Sequence, residues 1–418
     1  MSNQYKKLLR FATAGSVDDG KSTFIGRLLY DTKSIYKDQL EAVAHRTDGD
    51  TGKKIDLSYL TDGLKEEREL GITKDVAYRY FSTSKRKFII ADSPGHAQYT
   101  KYMFTAVSTV NVVVIIVDVT QGITEQTKRH TLISSMLEIE HLIVCFNKMD
   151  LVNYSEVHYN QRVSEHKDFV SSLNFKNINY LPISALLGDN MVAKSKKMEW
   201  YSGSTFLDCI ESLEFNTKTE NSGFTLPIQS VINHVTANGD AVNLIAGKLA
   251  TGMIAKGDSF TILPSKKTSS ISSIFSGFEK LANAAAGRSI TVSLSSDIIV
   301  KRGDIIVSNQ LKPIKSKSLE VILCWLDDKD LKINTNYRII HCHSHNIGKI
   351  EKINHKIDIR NNEKLTLVDK ISKNDIAEVK LSLQSSMFYE PYKTNKSLGR
   401  MILVDIQNND TVAAGIVI

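Results

Sequence analysis

The chain of 418 residues has only four cysteines, Cys145, Cys209, Cys324 and Cys342. They lie far apart and form no Cys-x-x-Cys spacing. A disulfide framework and a cysteine-rich zinc site are therefore excluded as organising devices, and a reducing cytosol fits. Cys145 sits in the apolar run "HLIVCFNK" and reads as a buried thiol. Long hydrophobic runs are also missing. The longest, "VVVIIV" at 112–117, falls far short of the roughly 20 residues that a membrane helix needs. Flanked by Asn111 and Asp118, it reads instead as a buried parallel strand. The N-terminus "MSNQYKKLLRFATAG" is basic but lacks the sustained apolar core of a signal peptide. No large excess of one charge exists: the formal net charge is +7, and the basic residues are scattered. Charge alone is thus weak support for a nucleic-acid partner. There is no coiled-coil heptad and no long repeat.

What is present is an alternation. Residues 1–216 alternate apolar runs with helical patterns. The strand-like runs are "KFIIAD" (87–92), "NVVVIIVDV" (111–119), "LIVCFNK" (142–148) and "NYLPISAL" (179–186), with helical lengths at Thr124–Met136 and Tyr159–Leu173. Such alternation predicts a parallel α/β sheet. The polar stretch "TKTENSG" (217–223) reads as a linker. Beyond it, short strands punctuated by Gly247, Gly252 and Gly257 predict a β-barrel over 224–310. A second hinge, "LKPIKSKS" (311–318), precedes a further barrel over 317–418.

The stretch "GSVDDGKST" carries the chemistry. Gly15, Ser16, Val17, Asp18, Asp19, Gly20, Lys21 and Ser22 fit G-x-x-x-x-G-K-[ST], and Thr23 follows. Glycines let the backbone wrap phosphate oxygens, and successive N–H groups point inward. Lys21 offers a charge to the β and γ phosphates, and the Ser22 hydroxyl suits magnesium. Phe24, Ile25, Leu28 and Leu29 then repeat at helical spacing, which aims a helix N-terminus at the anion.

Three more motifs follow in order, each after an apolar run. In "DSPGH", Asp92 can hold magnesium through water, Ser93 and Pro94 shape the turn, and Gly95 offers a mobile N–H to a γ-phosphate. His96 stands where an imidazole can orient an attacking water at neutral pH. In "NKMD", the Asp150 carboxylate matches the paired donors of guanine, while Asn147 and Lys148 frame the ring around Met149. In "SAL", the backbone at Ser184, Ala185 and Leu186 can offer an N–H to the guanine O6. The four motifs together predict GTP with Mg²⁺.

The long segment before "KFIIAD" holds "GIT", whose Thr73 hydroxyl can touch magnesium, although on its own residues a plain strand-start threonine is the better reading. The "HCHSH" run places His341, His343 and His345 at alternating positions, which on one strand would share a face and could take zinc. A half-exposed strand is the simpler reading.

These motifs and the glycine-punctuated barrels resemble the translational GTPase superfamily, the group of the factor that delivers aminoacyl-tRNA. Within it, "GSVDDGKSTFIGRLLYDTKSIYKDQLEAV", "DLSYLTDGLKEERELGIT" and "SALLGDNMVAKSKKMEWYSG" resemble the large, GTP-hydrolysing subunits of bacterial sulfate adenylyltransferases. The resemblance implies an α/β P-loop GTPase domain followed by two β-barrel domains. It implies a cytoplasmic enzyme in which GTP hydrolysis drives formation of adenosine 5′-phosphosulfate and pyrophosphate from ATP and sulfate. Adenylyl transfer would belong to a small partner subunit in a heterodimer or larger assembly, with no membrane and no nucleic acid expected. It assigns His96 to catalysis and Ser22, Thr73 and Asp92 to magnesium. Val17 and Ile72 match the apolar pair flanking that histidine in the superfamily. Lys74 and Asn111 depart from the pattern, which bears on coupling to the partner rather than on nucleotide binding. The rival reading is a translation factor that binds tRNA and the ribosome.

The guanine assignment is testable directly. Asp150→Asn is expected to exchange guanine for xanthine preference, read as competition by XTP against labelled GDP. Full GTP affinity with no response to XTP would refute it.

Overall fold

A computed structural model describes residues 8–35, 57, 76–94, 100–214, 223–235, 241–366, 368 and 370–418. The chain divides into two compact units, Met1–Phe215 with Asp358–Glu363, and Asn216–Ile357 with Lys364–Ile418. The first is an α/β domain on one mostly parallel sheet, and the second contains two closed β-barrels.

In the first unit, the strands are β1 (Leu8–Ala14), β2 (Ala77–Ser82), β3 (Lys87–Asp92), β4 (Val112–Asp118), β5 (His141–Asn147) and β6 (Asn177–Pro182). The described helices are α1 (Lys21–Asp31), α2 (Thr100–Val107), α3 (Glu125–Met136), α4 (Glu156–Val170) and α5 (Phe206–Ser212). The strands form one sheet in the order β2-β3-β1-β4-β5-β6, with only β2 antiparallel to its neighbour. Every residue of β4 and β5 is buried, as strands covered on both faces require. On one side, Phe24, Ile25 and Leu28 of α1 pack with Phe206 and Ile210 of α5 against Phe11, Val114 and Ile143 of the sheet.

Polar residues set the ends of these elements. Thr124 caps α3 by accepting the Thr127 N–H at 3.1 Å. Ser155 caps α4 by accepting the His158 N–H, so that helix begins a turn before the Tyr159 at which the sequence reading starts it. The run expected as a strand to Leu186 ends at Pro182. There the Ser184 carbonyl and hydroxyl accept the N–H groups of Gly188 and Leu187 and turn the chain.

Each barrel of the second unit has six strands in a closed ring. Pairing of Ser259–Leu263 with Lys267–Ser276 closes the first, around Leu226, Ile228, Ile245, Phe260, Ile262 and Val292. Pairing of Asn336–His341 with Ser344–Ile357 closes the second, around Trp325, Tyr337, Ile339 and Val379. Within the stretch expected as a hinge, 311–318, a strand already starts at Ile314.

The histidine run is corrected by the structure. Cys342 and His343 have φ of 46° and 67° and form the turn between two strands. His341 therefore ends one strand and His345 lies on the next, opposite Ile340, so the three imidazoles share no strand face. His341 Nε2 meets the Leu398 carbonyl at 2.9 Å.

One buried histidine does shape stability. His166 of α4 meets Thr131 of α3 through Nε2 (3.3 Å) and the Tyr180 hydroxyl of β6 through Nδ1 (3.1 Å). Burial pushes its pKa down to about 4 from 6.5. Between those values the unfolded chain takes up a proton that the folded chain refuses. The stabilisation is complete above about pH 6.5 and declines as pH falls toward 4. Melting temperature is expected to drop over that window, and His166→Gln is expected to lessen the drop without abolishing it, because burial lowers the pKa of His130 as well, to about 3; thermal melts at each pH read both.

Candidate functional site

Strand β1 pairs with both β3 and β4, so the chain continues to opposite sides of it. Crevices at such a switch point, at the carboxyl ends of the strands, hold ligands in open α/β sheets. Four of the sequence motifs sit there, after β1, β3, β5 and β6.

The loop after β1 is braced from inside. Asp19 is buried; its carboxylate accepts the Ser16 N–H at 2.5 Å and the Asp118 N–H at 3.3 Å. Burial raises its pKa, opposed by the charge of Lys21. Lys21 Nζ donates to the carbonyls of Gly15 (3.0 Å) and Ser16 (2.6 Å). Its burial lowers its pKa, while Asp19, Asp92 and Asp18 pull the other way. Gly20 has φ 92° and no room for a side chain, because a Cβ would collide with Asn147 Nδ2. A Cβ on Gly15 would meet the Ile116 carbonyl. The Ser16 and Thr124 hydroxyls bond at 2.8 Å. Val17 is exposed, and Ser22 and Thr23 occupy the first turn of α1.

Asp92 is the last residue of β3 and accepts the Thr13 hydroxyl at 2.8 Å. Ser93 donates to the Thr13 carbonyl through both N–H and hydroxyl, and Pro94 follows. Gly95, His96 and Thr73 lie outside the described residues, as do Ile72 and Lys74.

At the other end, Asn147 joins two loops. Its Nδ2 donates to the Asp19 carbonyl and its Oδ1 accepts the Ala185 N–H, both at 2.9 Å. The Ala185 N–H is thus engaged within the protein. Asp150 Oδ1 accepts the Ser184 hydroxyl at 2.6 Å. Met149 is fully buried and anchors the short 3₁₀ turn that carries Asp150. Lys148, at φ 64°, donates from Nζ to Asp118 Oδ2 at 2.7 Å. Burial of Asp118 opposes ionisation, but hydrogen bonds from Lys148 and Thr120 outweigh it and its pKa is lowered.

The oxygen donors Ser22 and Asp92 suit magnesium, which takes one or two protein ligands together with phosphate oxygens and water. Among the described residues no group of three or more His, Cys, Asp or Glu could hold a metal. Sequence reasoning missed Asp118 and Thr13. Asp118 had a signal, as a lone carboxylate closing an apolar strand; the Thr13 contact depends on strand register and had none.

The description "Elongation factor Tu GTP binding domain" matches residues 6–236, and "GTP-eEF1A C-terminal domain-like" matches 318–418. Sulfate adenylyltransferase subunit 1 of Bacteroides fragilis is 43% identical over 419 residues, covering 100% of this chain and 87% of that protein. The bifunctional enzyme CysN/CysC of Rhodopirellula baltica is 40% identical over 420 residues, covering 100% of this chain and 64% of that protein. A crystal structure of the S. cerevisiae Ski7 GTPase-like domain, bound to GDP and inorganic phosphate, is 17% identical with a TM-score of 0.53, covering 98% and 97% of the two chains. It shows a shared fold. The chain belongs to the sulfate adenylyltransferase subunit 1 family, enzymes built on the GTP-binding domain of elongation factor Tu. Among the described residues, no helix is long and apolar enough to cross a membrane.

Asp118→Asn removes the charge that holds Lys148. Because Lys148 is 28% exposed, the pair is partly screened. GTP and GDP affinity are both expected to fall about 3- to 10-fold. Preference over ATP should persist, because Asp150 is untouched; titration with a fluorescent GDP analogue checks both.

Proposed function

We propose that this chain binds and hydrolyses GTP and couples that hydrolysis to formation of adenosine 5′-phosphosulfate and pyrophosphate from ATP and sulfate. Adenylyl transfer takes place on a separate small subunit, in the cytoplasm, as the first step of sulfate assimilation. Four free cysteines suit that compartment. The chain serves this reaction with a GTP-binding domain over 1–216 and barrels over 224–310 and 317–418.

The observation that carries the reading is the Asn147 bridge. It fixes the loop at 15–22 and the loop at 184–186 at one spacing, with Asp150 beside the second. A molecule bound across that span needs an anionic end for Lys21 and a base with paired N–H donors for Asp150, which describes a guanine nucleotide. The residues Gly15–Thr23 take the phosphates, and Asn147–Asp150 with Ser184–Leu186 take the base. Ser22, Thr73 and Asp92 would hold magnesium, which neutralises phosphate charge when bound. His96, after Asp92–Gly95, orients the attacking water. The full-length similarity to proteins named sulfate adenylyltransferase subunit 1 supports the wider reaction, and the word subunit supports a partner.

Co-expression with a candidate small subunit tests this. Phosphosulfate formation is expected to rise with GTP, and GTP turnover to require ATP and sulfate. His96→Ala is expected to slow GTP hydrolysis by about 10²–10⁴-fold with GTP affinity little changed. GTP turnover indifferent to ATP and sulfate would overturn the coupling. Capture of RNA in place of a small protein would favour a translation factor.

A further inference from the structure

Arg27 lies on α1, on the turn after Ser22, and the nucleotide motifs do not include it. Its guanidinium reaches across to the loop after β6. Nε donates to the Ala185 carbonyl at 3.2 Å, and Nη2 donates to the Leu186 carbonyl at 2.6 Å. Nη1 meets Asp31 at 3.4 Å, and the Tyr30 ring lies 5.7 Å from the guanidinium.

The loop needs such a hold. Leu186 is 57% exposed and Leu187 is 37% exposed, so their side chains do not seat it in the core. Its backbone is tied by the Ser184 hydroxyl, by Asn147 and by Arg27. Among the described residues, Arg27 is the tie that comes from the phosphate-binding helix.

The direction of the tie matters. In a trans peptide the C=O of one residue and the N–H of the next point to opposite sides. Holding the Leu186 carbonyl turns the Leu187 N–H away from Arg27, and there it meets Ser184 Oγ at 3.3 Å. That hydroxyl is the one bonded to Asp150. The side opposite Arg27 is therefore the Asp150 side. Holding the Ala185 carbonyl turns the Leu186 N–H toward that same side, while the Ala185 N–H is occupied by Asn147.

We propose that Arg27 is a positioning residue for base recognition: by gripping the Ala185 and Leu186 carbonyls it aims the Leu186 N–H at the purine O6. This rests on the guanine-nucleotide reading above. Arg27 thereby links the phosphate-binding helix to the base-reading loop, with two charge-assisted bonds in a fork that lysine cannot reproduce.

The test uses Arg27→Met, which keeps length and removes the donors, and Arg27→Lys, which can reach one carbonyl. Dissociation constants are measured for GTP, GDP and 6-thio-GTP, whose sulfur is a poor acceptor at that position. Arg27→Met is expected to weaken GTP and GDP equally, by about 5- to 30-fold, leaving their ratio unchanged. The loss should shrink below about threefold for 6-thio-GTP, because the contact that Arg27 aims is already weakened. Arg27→Lys should recover part of the loss. An equal loss on 6-thio-GTP would mean a merely structural role, and no loss on GTP would mean no role; either overturns the proposal. If wild-type protein binds GTP and excludes ATP while Arg27→Met behaves like wild type, the Arg27 assignment alone fails. If wild type shows no guanine preference, the underlying reading fails with it.

Discussion

A buried side-chain amide holds the site together. Asn147 bonds a backbone carbonyl with its nitrogen and a backbone N–H with its oxygen, so its orientation follows from its partners. Removing it would leave both backbone groups buried without that partner, at about 1–3 kcal/mol each. Much of the surroundings follows from this contact. Gly20 must lack a Cβ because Asn147 Nδ2 occupies that space. The Asp19 carbonyl must face β5, which the Asp19 carboxylate secures by holding the Ser16 and Asp118 amides. The distance between the two loops is thus set by the protein, and a ligand spanning them pays little to organise it.

Electrostatics then separates the two ends. At the end of the loop after β1, Lys21 is buried among loop carbonyls, and desolvation works against its charge. An anion brought there would supply what burial removes. At the Asp150 end, Asp118 keeps its charge because Lys148 and Thr120 donate to it, and it holds the Lys148 ammonium in place. Asp150 is placed differently: a short turn anchored by Met149 carries it, and it receives a hydroxyl rather than a cation. That leaves a carboxylate with acceptor capacity for paired N–H donors.

The motifs were legible because each joins local chemistry to an apolar strand: Gly15–Ser22 after β1, Asp92 after β3 and Asn147–Asp150 after β5. The apolar runs that fill most of β4 and β5 revealed a sheet covered on both faces. Cap-determined boundaries were less legible, since Ser155 starts α4 within a segment that carries no apolar stripe. The "HCHSH" run misled because alternation implies a shared face only if the strand continues. Two left-handed residues, Cys342 and His343, end it, and nothing in their side chains marks that conformation. Contacts such as Thr13 with Asp92 depend on parallel register between β1 and β3, which periodicity leaves open.

The site divides its labour between packing and hydrogen bonding. The strand ends and Met149 are packed into the core, so their positions resist small changes at the surface. The loop at Ser184–Gly188 has a buried Ala185 but exposed leucines, and it holds its shape through directional polar bonds. Such bonds specify where N–H groups point more sharply than apolar contacts do, because they weaken steeply with angle. A base edge is read by the direction of donors and acceptors, whereas a triphosphate is held largely by charge and close backbone approach. Polar fastening beside Asp150 and glycine-permitted backbone turning beside Lys21 therefore match what the proposed guanine nucleotide would ask of each loop.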